Sequence, residues 1–281
     1  MKKKITMLLL LFCVIFYFTP SINAHAKENI TESNFDYVWY VNTYHQIQSL
    51  VDITNQQEIW DFYQTTGKNL GWEGRVAVTA LINESEFDYV RYATDYPNVA
   101  DLFGCDRHAL YVHYISAGVY EGKMAYTTNP DTNAKIMIYS IANQITAGVA
   151  TEAEKVKIVH DWLVMNVSYD YANYVAGTIP KTSYGITGVM LNGKSVCQGY
   201  ALAFQYFMEV LGIESEFIRG KANNGTGWNG HGWNRVKLDG VWYYIDVTWD
   251  DPLPDRGNKV YWYKYFMVTD PTFGGDHIAL Q

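Results

Sequence analysis

The chain has 281 residues, with 21 Lys and Arg against 29 Asp and Glu, a net charge of −8. That length holds one large domain or two smaller ones with a true core, and the acidic balance offers no positive field to draw the protein onto a phosphate backbone, so nucleic acid is set aside as a partner. Aromatics at 16% mark a folding chain, while three cysteines without a Cys-x-x-Cys pair exclude a disulfide scaffold and a thiolate zinc site and leave room for one nucleophile.

Lys2, Lys3 and Lys4 precede an apolar stretch from Ile5 to Phe18, and Ala24-His25-Ala26 sets small residues where a signal peptidase reads them. The pattern predicts a signal peptide over 1–26, since its 14 apolar residues fall short of the about 20 that span a bilayer. Its removal takes away Cys13 and three lysines, moves the net charge from −8 to −11, and leaves an exported protein with no stable membrane insertion.

An internal repeat follows. Phe35-Asp36-Tyr37-Val38-x-Tyr40-x-x-x-Tyr44 returns 52 residues later as Phe87-Asp88-Tyr89-Val90-x-Tyr92-x-x-x-Tyr96. The ends correspond as well: Phe62-Tyr63-x-x-x-Gly67 with His113-Tyr114-x-x-x-Gly118, and Glu73-Gly74-Arg75 with Glu121-Gly122-Lys123. Units of about 35–75 and 87–123 have the scale of a helical hairpin, and Tyr37, Tyr40 and Tyr44 (or Tyr89, Tyr92 and Tyr96) follow the stripe of an amphipathic helix, read as packing ahead of a carbohydrate- or partner-binding surface. The second unit resembles an aromatic-rich helical module that recurs in secreted bacterial proteins.

The module is assigned to 27–126, a Thr/Asn/Asp/Pro linker to 127–133, and a second domain to 134–281. That domain opens with a helix around Ile136–Ile145 and another begun by the capping box Thr151-x-x-Glu154, with Val156, Val159, Leu163 and Val167 on one side. A helix is predicted from Cys197 to Leu211, stopped by Gly212. Much of the remainder alternates in period two, and Asp239-Gly240 signals a tight type I′ hairpin.

That hairpin serves as a ruler. A two-residue loop pairs Leu238 with Val241, Trp233 with Asp246 and His231 with Thr248, so His231 and Asp246 become diagonal neighbours on one face, with Val236, Leu238, Val241, Tyr243, Ile245 and Val247 on the core face. Cys197 stands at a helix start, where free N–H groups and the dipole favour a thiolate. Packed together, these residues form a nucleophile, a base and an orienting acid, with the Cys197 backbone N–H as one oxyanion donor. A buried inert Cys and an unrelated surface His are the alternative.

The stretches KVKIVHDWLVMNVSYD (155–170), GKSVCQGYALAF (193–204) and HGWNRVKLDGVWYYIDVTWDDP (231–252) resemble the transglutaminase-like superfamily, over roughly 134–272. The resemblance implies an α+β, papain-like core in which a helix carrying the Cys packs on an antiparallel sheet carrying the His and Asp, with the nucleophile at Cys197, the base at His231 and the orienting acid at Asp246. It implies acyl transfer through a thioester, either hydrolysis or cross-linking of a glutamine carboxamide to an amine.

Other candidates are weighed beside these. Trp233, two residues from His231 on its face, shields the site or holds substrate, or simply packs. Asn234 points to the other face as a structural hydrogen bonder, and His160 reads as a core histidine. Asp250, Asp251 and Asp255 lack the spaced ligands of a calcium loop, and no metal or cofactor is expected. Tyr184 and Asn192 have no spacing argument for a second oxyanion donor, and Asn223 to Gly230 reads as a loop long enough to border a cleft. The resulting expectation is a secreted cysteine enzyme acting on peptide or protein amides at or outside the cell surface, wall peptides included, with hydrolysis, by peptidase action or deamidation, favoured over cross-linking. The alternative is a surface binding or scaffold protein that keeps the fold without turnover.

Overall fold

The computed structural model describes residues 30–75, 77, 82–251 and 263–280; the segment 1–26 read as a signal peptide and Asp255 lie outside the described residues. The first aromatic unit begins with helix α1 (Tyr37–Thr43), capped by Asp36, whose carboxylate accepts from the Trp39 N–H at 2.9 Å. Helix α2 (Gln56–Phe62) is capped by Asn55 and runs into a π-helical turn, Tyr63–Gly67. The second unit repeats this plan. Helix α3 (Tyr89–Asp95) is capped by Asp88, α4 (Pro97–Phe103) carries its proline where a missing N–H costs nothing, and α5 (Arg107–His113) runs into the π-helical turn Tyr114–Gly118. Contacts match as well: Tyr40 and Tyr92 are both wholly buried, the Tyr44 hydroxyl accepts from the Glu73 N–H, and the Tyr96 hydroxyl accepts from the Met124 N–H, each at 2.7 Å. The aromatic stripe is therefore spent on packing.

The stretch read as a linker is partly helical. Asn129 caps helix α6 (Pro130–Ile145), so Pro130–Asn133 form its first turn and the helix starts earlier than its apolar pattern. Helix α7 (Glu152–Asn166) begins at Thr151 and buries Val156, Val159 and Leu163. A short parallel pair follows, β1 (Ser168–Tyr169) with β2 (Lys194–Ser195), with helices α8 (Tyr171–Ala176) and α9 (Ile186–Asn192) between them. Helix α10 (Cys197–Val210) ends before Gly212, whose φ of 67° needs no Cβ.

Strands β3 (Ser215–Asn223), β4 (Trp228–Leu238) and β5 (Val241–Ile245) form an antiparallel sheet that β6 (His277–Ala279) joins at its edge, in the order β5-β4-β3-β6; helix α11 (Val247–Asp250) follows β5. The β4–β5 turn has Asp239 at φ 50° and Gly240 at φ 79°, and the register pairs Leu238 with Val241 and Asn234 with Ile245, as the ruler required. Val236, Leu238 and Ile245 face α10 in the main core, and the Asn234 amide donates to the Ala201 carbonyl of α10 at 3.0 Å. That core is continuous from Ile82 to Val247, so the second aromatic unit shares it, whereas Phe35, Tyr40, Ile47, Ile59 and Tyr63 centre a cluster of their own.

Two expectations need correction. Trp233 does not pair with Asp246, nor His231 with Thr248: the ladder ends at Asn234–Ile245, because the Asp246 carboxylate accepts from the Trp249 N–H at 3.2 Å and turns the chain into α11. Asn223 to Gly230 is not a long loop either. Asn223 pairs with Trp228, leaving 224–227 as a hairpin turn.

Candidate active site

Cys197 is the first residue of α10 and is a free, half-buried thiol. Its placement starts one step earlier, in the β1–β2 pair. The Asp170 N–H donates to the Ser195 carbonyl at 2.8 Å, the Ser183 hydroxyl to Asp170 Oδ2 at 2.9 Å, and the Ser195 hydroxyl and Val196 N–H both donate to the Ser183 carbonyl, at 2.7 and 3.0 Å. These buried bonds fix the two residues before the thiol. Gly199 is required here, since a Cβ would lie 1.9 Å from Ser195 Oγ and 2.8 Å from the Ser183 carbonyl.

From the sheet side, His231 lies near the open end of β4, opposite Gly220 of β3. A side chain at Gly220 would meet the Trp233 ring and the Ile278 carbonyl, each at 2.3 Å. Its absence lets Trp233 lie flat over the sheet. Trp233 is buried, its ring 6.0 Å from that of His231 and 23° off parallel, and its indole N–H finds no hydrogen-bond partner among the described residues. It therefore covers the base and has no surface for holding substrate. Trp249 stands on another side of the imidazole at 5.5 Å.

His231 Nε2 lies 2.5 Å from Asp246 Oδ2, which leaves Nδ1 for the Cys197 thiol, the ring's other polar neighbour. Burial drives the imidazole towards its neutral form. The Asp246 carboxylate outweighs it through Coulomb attraction and the hydrogen bond, Cys197 adds a smaller push, and the pKa stands well above its usual 6.5. Asp246 is wholly buried, which alone would raise it, but the His231 and His277 imidazoles hold it below its usual 3.8.

The three residues predicted to act together are thus in contact, with Asp246 at the N-cap of α11 rather than on a strand. Two neighbours were missed. His277, 31 positions downstream of Asp246, places Nε2 3.0 Å from the same Oδ2; only the β3–β6 pairing brings it there. Tyr169 is held by β1 within electrostatic reach of Cys197, and burial first, then Cys197, raises its hydroxyl pKa above 10, so the phenol stays protonated. The Tyr-Asp step after an apolar helix was its only trace. Tyr184 is exposed and accepts from the Gln198 amide through its carbonyl, while Asn192 ends α9.

His160 is buried between Asp161 Oδ1 at 2.9 Å and Asp250 Oδ2 at 3.3 Å. Asp250 also accepts from the Tyr265 N–H, and Asp251 from the Tyr200 hydroxyl at 2.6 Å, so both acids serve internal donors rather than a calcium loop. His231, Asp246 and His277 put one nitrogen or oxygen each within 4.8 Å of one another. Both imidazoles are already bonded to the carboxylate, and hydrogen bonding accounts for the cluster.

Residues 139–247 match the family model of the transglutaminase-like superfamily. The kyphoscoliosis peptidase of Homo sapiens is 25% identical over 156 residues, covering 51% of this chain and 23% of that protein, and its Mus musculus counterpart is 25% identical over 160 residues, covering 51% and 24%. The chain thus spans about a quarter of the length of these curated relatives. A solved structure titled as a TGase is 20% identical, with a TM-score of 0.37, covering 56% of this chain and 38% of that one.

Proposed function

From the premise that residues 139–247 are a transglutaminase-like domain, we propose that this chain is a secreted cysteine enzyme that transfers acyl groups from peptide or protein amides through a thioester on Cys197. The observation that carries the reading is the Cys197–His231–Asp246 contact, with the thiol at a helix start and the base between thiol and acid.

The chemistry balances on these three groups. With the proton of the Cys197 thiol held on His231 Nδ1, the sulfur attacks the amide carbon. Charge gathering on the carbonyl oxygen is met by the Cys197 backbone N–H, one of the first-turn groups that the helix leaves unpaired. Collapse breaks the C–N bond as His231 returns the proton to the leaving nitrogen, giving a thioester and an amine or ammonia. His231 then takes a proton from water, whose oxygen attacks the thioester; an acid is released and the thiol restored. An amine in place of water gives cross-linking. Asp246 holds the ring in one orientation and stabilises its charged form. We favour hydrolysis over cross-linking, and we favour peptides at the cell surface over anionic polymers as substrates because the chain is acidic.

Two measurements test this. Iodoacetamide should alkylate Cys197 faster than Cys105 near neutral pH, and His231→Ala should abolish the preference; equal, slow reaction of both thiols sinks the enzyme. Glutamine peptides with and without an added amine, against Cys197→Ala as control, then divide the outcomes: ammonia alone is deamidation, amine incorporation is cross-linking, and a cut chain is proteolysis.

A further inference from the structure

Three catalytic groups need only one imidazole on the carboxylate, yet Asp246 carries two. His231 and His277 both direct Nε2 at Oδ2, at 2.5 and 3.0 Å, while Oδ1 takes the Trp249 N–H. His277 is wholly buried, with its ring packed against Trp249, Phe273 and Trp233 at 4.5, 4.6 and 4.9 Å. Its other nitrogen, Nδ1, lies 2.6 Å from Asp276 Oδ1.

An ionised carboxylate only accepts. Both contacts of His277 are therefore hydrogen bonds only if a proton sits on each nitrogen, or if Asp276 is the protonated partner. The outer neighbours decide between these. Asp276 Oδ2 accepts from the Tyr265 hydroxyl at 2.9 Å and lies 3.5 Å from the exposed Lys264 ammonium, and Lys264 in turn donates to the Tyr265 oxygen. A donor and a cation on its far oxygen favour Asp276 as the anion, which leaves both protons on the ring.

We propose that His277 is a positioning residue: a buried imidazolium clamped between Asp276 and Asp246, which shares the Asp246 carboxylate with His231 and limits how tightly that carboxylate holds the base. The inference rests on the proposed thiol chemistry, in which His231 must both take a proton and give it up. A lone buried aspartate would hold that proton too firmly for the second transfer. A fixed positive charge 5.5 Å from the His231 ring centre offsets the hold. Among the described residues, the charged and titratable groups facing this pair are Asp246, Asp276, Tyr265, Lys264, Cys197 and Tyr169, with Asp250 and its partner His160 one step beyond Asp246.

Histidine ring NMR of the whole protein tests the assignment without substrate. His277 should show both ring N–H protons at neutral pH, and a neutral His277 overturns the proposal. His277→Gln keeps a donor towards Asp246 and removes the charge, so the His231 titration midpoint should rise by about one pH unit or more. A midpoint that stays or falls in a folded His277→Gln protein overturns the inference; should that variant not fold, the ring N–H protons of His277 in the wild-type protein decide it. A merely structural His277 would change melting and leave the midpoint in place. Failure of the enzyme reading is seen separately, in the wild-type alkylation preference.

Discussion

His231 and Asp246 link the site to stability, with signs that can be worked out. The folded pKa of His231 lies above its usual 6.5, so its contribution is complete below that value and fades as pH rises. Asp246 lies below its usual 3.8, so its contribution is complete above that value and fades as pH falls. Together they predict that Asp246→Asn costs most between about pH 4 and pH 6.5. The difference in Tm between wild type and variant should narrow on both sides of that window, whereas a pH-independent difference would show that the pair is not ionised as described. At this scale the sequence was informative for a physical reason: period-two alternation and an Asp-Gly turn set parity, and parity placed His231 and Asp246 on one face. It was silent on His277, which reaches Asp246 only through a strand far along the chain.

Among the elements, the aromatic units show how a repeat is held by its smallest residues. In the π-helical turns, a Cβ at Gly67 would lie 2.0 Å from the Tyr40 hydroxyl oxygen, and one at Gly118 would lie 2.1 Å from that of Tyr92. Both tyrosines are fully buried, so neither ring has room to retreat. Gly67→Ala and Gly118→Ala should each cost about 1–3 kcal/mol in urea melts. The hydroxyls differ, however: that of Tyr92 is bonded to His113 Nδ1 at 3.0 Å, while that of Tyr40 is buried without a partner among the described residues. Tyr40→Phe should therefore be neutral or stabilising and should rescue Gly67→Ala, whereas Tyr92→Phe should itself cost about 1 kcal/mol. A Tyr40→Phe that destabilises as much as Tyr92→Phe would refute the distinction. The repeat was visible in identities at one offset, but its boundaries were not. Helices α1 and α3 stop one residue short of Tyr44 and Tyr96, which serve as caps, and α6 reaches back into polar residues because Asn129 and Pro130 start a helix where composition suggests a linker.

Across the whole molecule, one buried ion pair joins three parts. Arg75 Nε lies 2.9 Å from Asp36 Oδ2, and both side chains are buried. The Asp36 carboxylate also accepts from the Tyr120 hydroxyl of the second unit and, at 3.2 Å, from the Tyr139 hydroxyl of α6. The guanidinium donates to Asn143 Oδ1 at 3.0 Å and stacks on Trp39 and Tyr120. Lys155 of α7 adds a second tie to Glu73, at 2.6 Å. Because the hydrophobic cluster of the first unit is separate from the main core, these polar ties carry much of the coupling between them. Asp36→Leu strands the Arg75 charge and should cost about 3–5 kcal/mol, Arg75→Met should be costly for the reciprocal reason, and the double variant should cost well below the sum. Six of the nine tryptophans lie outside the first unit, so the amide hydrogen-exchange protection of residues 37–63, rather than fluorescence, reports on it. In the single variants that protection should be lost at lower denaturant than the far-UV helix signal, which α6, α7 and α10 dominate. One coincident transition at the wild-type midpoint would show that the junction does not couple the first unit to the rest.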